Sequence, residues 1–194
     1  MLDLCMVVVG QDRYECRSFD RTHVDCELRL VPNQNRSTAS IANEMLAKTN
    51  CAVFGLVHPD VRFGPGATRV FYTTALACNV CGVVGKNPVL PYPMNYIHCS
   101  RNPGHVAVLD DCAVFFRKDS GLTFDAKTFT AWSAYVPDLC LQAQARGISI
   151  TVPHADAKHK GTRFFTDYKV HNAHWEEQVS KLRAKWPGVD VATT

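Results

Sequence analysis

The chain of 194 residues is 46% hydrophobic and carries a formal net charge of +3. This length suits one domain, and so mild a positive charge argues against a dedicated nucleic-acid-binding protein. No apolar run approaches the roughly 18 residues that a membrane-spanning helix needs, so we expect no membrane span.

The first half of the chain alternates between apolar strand patterns and helical patterns. Apolar runs predict strands, a serine or threonine just before an amphipathic stretch predicts a capped helix, and an uninterrupted apolar run is typical of a parallel strand buried on both faces. The predicted elements are strands over Leu4–Val9, Glu27–Val31 and Cys51–Val57, a helix capped by Ser37 or Thr38 that ends at Lys48, and a helix over Ala67–Cys78.

The second half continues the alternation after a proline-rich loop over Lys86–Gly104, and a loop of that length in a compact domain is usually functional. Strands that alternate with helices predict a mainly parallel sheet in an α/β fold. We expect residues 1–194 to form a single domain, with residues 171–194 as a C-terminal helix and tail. The predicted elements are strands over Gly82–Val84, Val106–Val108, Ala113–Phe116 and Ile148–Val152, and helices over Pro137–Arg146 and His171–Trp186.

Nine cysteines are scattered along the chain, and several lie inside apolar segments. A free thiol in such a segment packs as a small hydrophobic group, and free thiols are typical of reducing compartments, so we expect a cytoplasmic protein. Cys78 and Cys81 form a C-x-x-C pair that could bind zinc with Cys99, but a second such pair is missing from the sequence.

The tripeptide His58-Pro59-Asp60 follows the third predicted strand directly. Pro59 has no N–H to donate and ends the strand, which places Asp60 at the carboxyl edge of the sheet, where open α/β sheets bind ligands. A carboxylate there can hold a divalent cation that in turn holds phosphate. The alternative is an ordinary turn aspartate.

The order of several motifs resembles the inverting GT-A glycosyltransferases that have a single nucleotide-sugar domain. The resemblance extends from about Asn33 to Trp186. It implies one GT-A (Rossmann-like) domain with a mixed, mainly parallel sheet flanked by helices, and transfer of a hexose from a nucleotide-diphospho sugar, a UDP-sugar first among them. The matching motifs are Ser40-Ile41-Ala42, the strand before His58-Pro59-Asp60-Val61, Asp110-Asp111, Trp132, Tyr135, Asp138-Leu139-Cys140 and His159.

For the metal, the resemblance implies a Mn²⁺ or Mg²⁺ ion that stabilises the diphosphate leaving group. Asp60 is the main candidate ligand, His58 the second, and His159 a late ligand of the metal or of the diphosphate. The family usually has D-x-D where this chain has H-x-D, so one carboxylate is replaced by an imidazole. Each histidine could instead have a packing or surface role.

For the acid–base chemistry, the resemblance implies that Asp138 removes the proton from the acceptor hydroxyl. A helix N-terminus would keep this carboxylate ionised, although a plain helix-terminal charge has the same sequence. Asp110 and Asp111 form an acidic pair at a strand mouth, and Asp111 is the one we expect to orient a hydroxyl of the sugar or acceptor. The pair could equally form a turn.

The remaining predicted contacts belong to donor and acceptor. The positions just after the first two strands are where this fold holds a nucleotide, an arginine can pair with phosphate, and aromatic rings can stack on a sugar. Trp132 could instead belong to the core, and Arg36 to an exposed loop. The predicted donor residues are Gln11, Asp12, Asn33, Arg36, Lys86 and Asp111, and the predicted acceptor residues are Trp132 and Tyr135.

The acceptor itself stays open between a saccharide and a hydroxymethylated base in DNA, which would have to be flipped out or reached in a groove. Two other functions are compatible with the sequence. One is a non-catalytic nucleotide-sugar-binding module, suggested by the missing carboxylate of D-x-D. The other is a zinc-stabilised DNA-binding domain built on the cysteines named above.

Overall fold

The computed structural model describes residues 1–78, 80–87, 96–131, 133–160 and 168–189, and the side chains of the same residues except 78 and 168–172. Within these residues the chain forms twelve strands and five α-helices. In chain order they are β1 (Leu2–Gly10), α1 (Arg13–Ser18), β2 (Cys26–Pro32), α2 (Thr38–Lys48), β3 (Val53–Val57), β4 (Val61–Phe63), α3 (Ala67–Cys78), β5 (Val80–Gly82), β6 (Val84–Lys86), β7 (Tyr96–His98), β8 (Gly104–His105), β9 (Val108–Leu109), β10 (Ala113–Arg117), α4 (Tyr135–Ala145), β11 (Ile150–Val152), β12 (Ala157–His159) and α5 (Tyr168–Lys185).

The described residues form a central sheet of seven strands, in the order β2-β1-β3-β10-β5-β11-β8. β1, β2 and β3 run parallel, as do β5 and β11, whereas β10 and β8 run against them. The predicted mainly parallel α/β sheet is therefore confirmed. Two small sheets lie outside it, β12 paired with β4 and β6 between β7 and β9.

The sheet centre is buried on both faces, as the long apolar runs of β1 and β3 predict. Gly55 in the middle of β3 leaves room for a neighbouring ring, because a Cβ there would lie 2.6 Å from Phe115. Phe115 in turn stacks on Phe71 of α3 at a centroid distance of 4.8 Å. The glycine therefore permits α3 and the sheet to share a close aromatic contact.

Helix α2 begins where its cap predicts. Ser37 Oγ accepts a hydrogen bond of 3.1 Å from the backbone N–H of Ser40, which satisfies one of the free donors at the helix start. Ile41 and Ala42 face the core and are fully buried. The bounds of α3 are also as predicted.

Helix α4 begins at Tyr135, two residues before the predicted start at Pro137. Proline is tolerated in a first helical turn, where its missing N–H would have no helical partner. The helix ends at Ala145, before Gly147, whose φ of +72° suits a glycine.

Most other differences between the predicted and the observed elements concern short strands. The predicted strand Gly82–Val84 is the junction of β5 and β6, and the predicted strand Val106–Val108 follows β8 and includes the first residue of β9. The predicted loop Lys86–Gly104 contains β7, and residues 88–95 lie outside the described residues. Helix α1 and strands β4 and β12 were not predicted. In α5, Val179 and Leu182 are buried on the predicted face.

One edge of the central sheet gathers the loops that carry the candidate site. Val57 at the end of β3 pairs with Ala113 at the start of the antiparallel β10. The backbone N–H of His58 donates a hydrogen bond of 2.8 Å to the carbonyl of Cys112. The tripeptide after β3 and the residues before β10 are therefore neighbours. No helix in the described part of the chain has the length and apolar character needed to cross a membrane.

Candidate metal centre

Asp60 lies just past β3 in the short connection to β4, and 8% of its surface is exposed. Strand β12 pairs with β4 so that His159 stands opposite Val61. The backbone carbonyl of Asp60 also accepts an N–H from Lys160 at 3.2 Å. This two-stranded pairing brings the imidazole of His159 onto the Asp60 carboxylate, with Nε2 3.1 Å from Oδ2.

Asp60 and His159 form an ion pair, and the oxygens of the Asp60 carboxylate can still accept further contacts. Burial raises the pKa of Asp60, but His159 outweighs it and the net shift is downward. Burial lowers the pKa of His159, but Asp60 and Asp110 outweigh it and the net shift is upward. The contact of Asp60 Oδ2 with His159 Nε2 at 3.1 Å does not have hydrogen-bond geometry, and within the described part of the chain this oxygen has no other partner. A buried carboxylate oxygen in that state is suited to a cation.

His58 is held by a hydrogen-bond chain from α4. Its Nε2 lies 2.9 Å from the Tyr135 hydroxyl, which lies 3.2 Å from the carbonyl oxygen of Asp111. A carbonyl only accepts, so the tyrosine O–H donates to Asp111 and His58 Nε2–H donates to the tyrosine oxygen. This assignment leaves the Nδ1 lone pair of His58 for a metal. Burial also lowers the pKa of His58, which favours the neutral ring.

Two groups of potential ligand atoms converge here, each with its atoms within 4.8 Å of one another. The first is His58, Asp60 and His159, and the second is Asp110, Cys112 and His159. The structure therefore brings together the three residues predicted as metal ligands. Nitrogen donors make the first group better suited to Mn²⁺ than to Mg²⁺, which prefers oxygen. The donor set and the buried oxygen of Asp60 fit a divalent metal.

Asp110 and Cys112 were not predicted as ligands. The acidic pair at 110–111 is a visible signal in the sequence, but only its second member was expected to have a functional role. Asp111 is turned toward α4, where its carboxylate accepts backbone N–H groups from Ala134 at 2.8 Å and Val136 at 2.9 Å. Burial raises the pKa of Asp111 to about 7. Its predicted contact with a hydroxyl of the sugar or acceptor stays a prediction.

Tyr135 is fully buried, and its ring packs against Phe124 at 6.0 Å. Contact with an acceptor, as the sequence predicted, would require this region to open. Trp132, the other predicted acceptor residue, lies outside the described residues. The hydroxyl of Tyr135 instead lies between the His58 ring and the backbone carbonyl of Asp111.

We expect Tyr135→Phe to lower Mn²⁺ affinity by about 10-fold or more, because this change removes the hydroxyl that fixes the His58 ring. The measurement is a Mn²⁺ titration followed by electron paramagnetic resonance. Tyr14→Phe, at a ring that is 78% exposed, serves as the control. Equal affinities for Tyr135→Phe and the unsubstituted protein would show that the ring needs no such support.

Asp138 is fully buried and its carboxylate is surrounded by donors. Oδ1 accepts the Trp186 indole N–H at 2.8 Å, and Oδ2 accepts from Gln142 at 2.8 Å and from Lys185 at 3.0 Å. Lys185 also bonds Asp125 at 2.8 Å. The carboxylate thus fastens the end of α5 to α4. Its predicted role as the catalytic base stays a prediction, and it would require the buried carboxylate to become accessible to an acceptor.

The predicted donor residues fall in several places along the sheet edge. Asp12 caps α1 by accepting the N–H of Glu15 at 2.8 Å, and Gln11 donates its own backbone N–H to the Glu15 carboxylate at 2.6 Å. Lys86 lies over the Tyr96 ring at 4.8 Å. These contacts test none of the predicted donor roles, which stay predictions.

Asn33 and Arg36 share one cavity of about 210 Å³ beyond the end of β2. Arg36 also forms a salt bridge of 2.5 Å with Glu44. The cavity holds polar groups from three segments of the chain. It is lined by Asn33, Asn35, Arg36, Thr38, Thr130, Ala131 and His174.

The cysteines of the zinc alternative have other contacts. Cys81 Sγ lies 3.5 Å from the carbonyl of Phe71, and Cys99 Sγ lies 3.2 Å from the carbonyl of Ala157. The side chain of Cys78 lies outside the described part of the chain. Neither Cys81 nor Cys99 belongs to a metal-ligand group among the residues that the structure describes.

Comparison with known proteins identifies the fold. No family model and no curated protein matches the chain. Among solved structures, A197 from STIV matches with a TM-score of 0.54 and 13% identity, over 84% of this chain and 87% of that one. A Drosophila beta-1,4-galactosyltransferase 7 mutant, in complex with manganese, UDP-Gal and xylobiose, matches with a TM-score of 0.50 and 10% identity, over 90% and 79%.

These likenesses, together with the seven-stranded sheet, define the class of fold. The chain has an α/β domain of the GT-A (Rossmann-like) type, as the sequence resemblance implied. At such identities the likeness reaches the fold and no further.

Proposed function

We propose that the protein is a metal-assisted glycosyltransferase that moves a hexose from a nucleotide-diphospho sugar to an acceptor hydroxyl with inversion. The observation that carries the proposal is the buried Asp60 carboxylate, which lies 3.1 Å from His159 and forms one group of potential metal ligands with His58 and His159. It lies at the sheet edge where open α/β folds bind ligands. The galactosyltransferase with the same fold was solved with manganese and UDP-Gal, which supports a UDP-sugar donor.

Asp60, His58 through Nδ1, and His159 would hold the ion, with Mn²⁺ favoured over Mg²⁺ by the two imidazoles. When bound, the ion would offset the negative charge that develops on the diphosphate leaving group. The nucleoside would lie farther along the same edge, past the ends of β1 and β2. There Asn33 supplies hydrogen-bonding groups, and Arg36 supplies a cation for phosphate if it exchanges its bond to Glu44.

Asp138 is the proposed base, and its contacts define what that role demands. To take a proton from an acceptor, the fully buried carboxylate must become accessible, although Lys185, Trp186 and Gln142 already donate to it. Because all of these donors are in place, the structure also favours a second candidate function, a non-catalytic nucleotide-sugar-binding module. Replacing Asp138 with asparagine distinguishes the glycosyltransferase from the binding module.

The acceptor is proposed to be a saccharide, with a hydroxymethylated base in DNA as the alternative. The xylobiose in the galactosyltransferase complex supports a saccharide. DNA binding that weakens steeply with salt would favour the nucleic acid, because phosphate contacts release counterions. Saccharide binding that is insensitive to salt would favour the sugar.

The test is release of the nucleoside diphosphate from a panel of sugar nucleotides, with and without acceptor saccharides, in Mn²⁺ and in EDTA. We expect one donor to be hydrolysed slowly in Mn²⁺ and not in EDTA, with activity restored by added Mn²⁺. Binding of every donor should be measured in parallel by calorimetry. Donor binding without turnover would favour the binding module, and neither binding nor turnover for any donor would refute the proposal.

A further inference from the structure

We propose that Asp110, Cys112 and His159 form a second metal position that takes a thiophilic divalent ion such as Zn²⁺. The position shares His159 with the Asp60 group, so zinc there would compete with the ion at Asp60. The proposal that zinc binds here depends only on the positions of Asp110, Cys112 and His159. Inhibition of sugar transfer by zinc rests on the proposed function.

The geometry supplies one oxygen, one sulfur and one nitrogen within 4.8 Å of one another. The turn that carries the first two is fixed, because Asp110 Oδ1 accepts the backbone N–H of Cys112 at 2.8 Å. The Cys112 carbonyl in turn accepts the N–H of His58. Cys112 is therefore held between the acidic pair and the tripeptide that follows β3, with its thiol inside the cluster.

The cluster is partly open to an ion. Cys112 is fully buried, whereas the side chain of His159 is 26% exposed and Asp110 is half-buried. An ion can arrive along the imidazole and the carboxylate and reach the sulfur last. Its binding breaks the S–H bond of Cys112 and releases that proton to solvent while the thiolate forms the bond to the metal.

The donor set decides which ion is preferred. Mg²⁺ favours oxygen ligands and Mn²⁺ accepts oxygen and nitrogen, whereas a thiolate with an imidazole and a carboxylate is a set that selects Zn²⁺. Three protein ligands would leave the fourth tetrahedral place to water. Within the described residues, Cys112 is the cysteine whose sulfur joins a histidine and a carboxylate in this way. Cys140 is equally buried but contacts the backbone N–H of Leu109 at 3.4 Å.

The shared histidine couples the two positions. His159 is the member common to both groups, and an ion held by Cys112 and Asp110 would draw the imidazole away from Asp60. Zinc should therefore lower the affinity for Mn²⁺, and Mn²⁺ should lower the affinity for zinc by the same factor. The loop before β10 would then control how well the Asp60 position is filled.

The test uses Co²⁺ as a probe for the zinc position, because a cobalt–thiolate bond gives a charge-transfer absorption in the near ultraviolet. We expect this absorption in the unsubstituted protein and in the matched control Cys140→Ser, and its loss in Cys112→Ser. Equilibrium dialysis should show that Cys112→Ser binds Zn²⁺ at least about 10-fold more weakly and keeps its affinity for Mn²⁺. An unchanged absorption in Cys112→Ser, or none in the unsubstituted protein, would overturn the proposal.

If Cys112→Ser does not fold, X-ray absorption of the zinc-loaded unsubstituted protein and of His159→Gln takes its place. A sulfur neighbour at about 2.3 Å, lost in His159→Gln, supports the site, and a shell of nitrogen and oxygen alone overturns it. The result is separable from the proposed function. Zinc bound through Cys112, together with no sugar transfer in Mn²⁺ without zinc, would refute only the transferase, and Mn²⁺-dependent transfer without a cobalt–thiolate signal would refute only the zinc position.

Discussion

Replacing Asp60 with asparagine is expected to weaken Mn²⁺ binding by about 100-fold or more, since a direct ligand should matter at least as much as the groups that orient one. Asparagine has nearly the same size as aspartate but carries no charge. The main interaction that asparagine removes is the ion pair between Asp60 Oδ2 and His159 Nε2, which lie 3.1 Å apart. Stability should therefore change much less than metal binding does.

The comparison is a Mn²⁺ titration of Asp60→Asn, the unsubstituted protein and Asp156→Asn, an exposed aspartate in the segment that leads to His159. Urea unfolding of the same three proteins reports stability. Equal Mn²⁺ affinity in all three would remove Asp60 from the metal site. A large loss of stability in Asp60→Asn with unchanged metal binding would show that Asp60 is the ordinary turn residue considered from the sequence.

The second large effect is expected at Asp138. We predict that Asp138→Ala lowers the free energy of unfolding by about 3 kcal/mol or more, because removing one partner of a buried charge pair leaves the other groups unsatisfied. The change removes acceptors from Lys185, Trp186 and Gln142 at once. Urea unfolding followed by circular dichroism measures it. Asp119→Ala, which breaks an exposed pair with Arg117, is the control and should cost less than about 1 kcal/mol.

Asparagine at position 138 distinguishes holding α5 from abstracting a proton. Its carbonyl can still accept the Trp186 N–H, but it cannot serve as a general base. If Asp138 is the base, Asp138→Asn should fold and lose about 10²–10⁴-fold in turnover with little change in donor affinity. Unaltered turnover would assign the base to another group and leave Asp138 with a structural role.

Much of the fold could be predicted because strong local signals agree with it. The apolar runs of β1 and β3, the cap at Ser37 and the glycine after α4 each have a direct physical effect on the backbone. Helix α1 was not predicted because its six residues have no apolar face to reveal it. The strands β4 and β12, of three residues each, depend on a pairing between distant segments that carries no local pattern.

The candidate site was predicted less completely, for a related reason. His58, Asp60 and His159 were named together, and the structure brings them together, but their roles still require measurement. The hydroxyl of Tyr135 reaches His58 across 77 positions of sequence, and nothing near either residue indicates the contact. Tertiary packing likewise turns Asp111 toward the backbone of α4 and buries Asp138 beneath α5.

The attachment of α5 to Asp138 has a consequence for how the polypeptide is made. The lysine that compensates this carboxylate lies 47 positions later in the sequence. During translation, α4 emerges from the ribosome before that lysine does. The nascent protein must therefore keep Asp138 hydrated, and this part of the interior can close only after Lys185 has emerged from the ribosome.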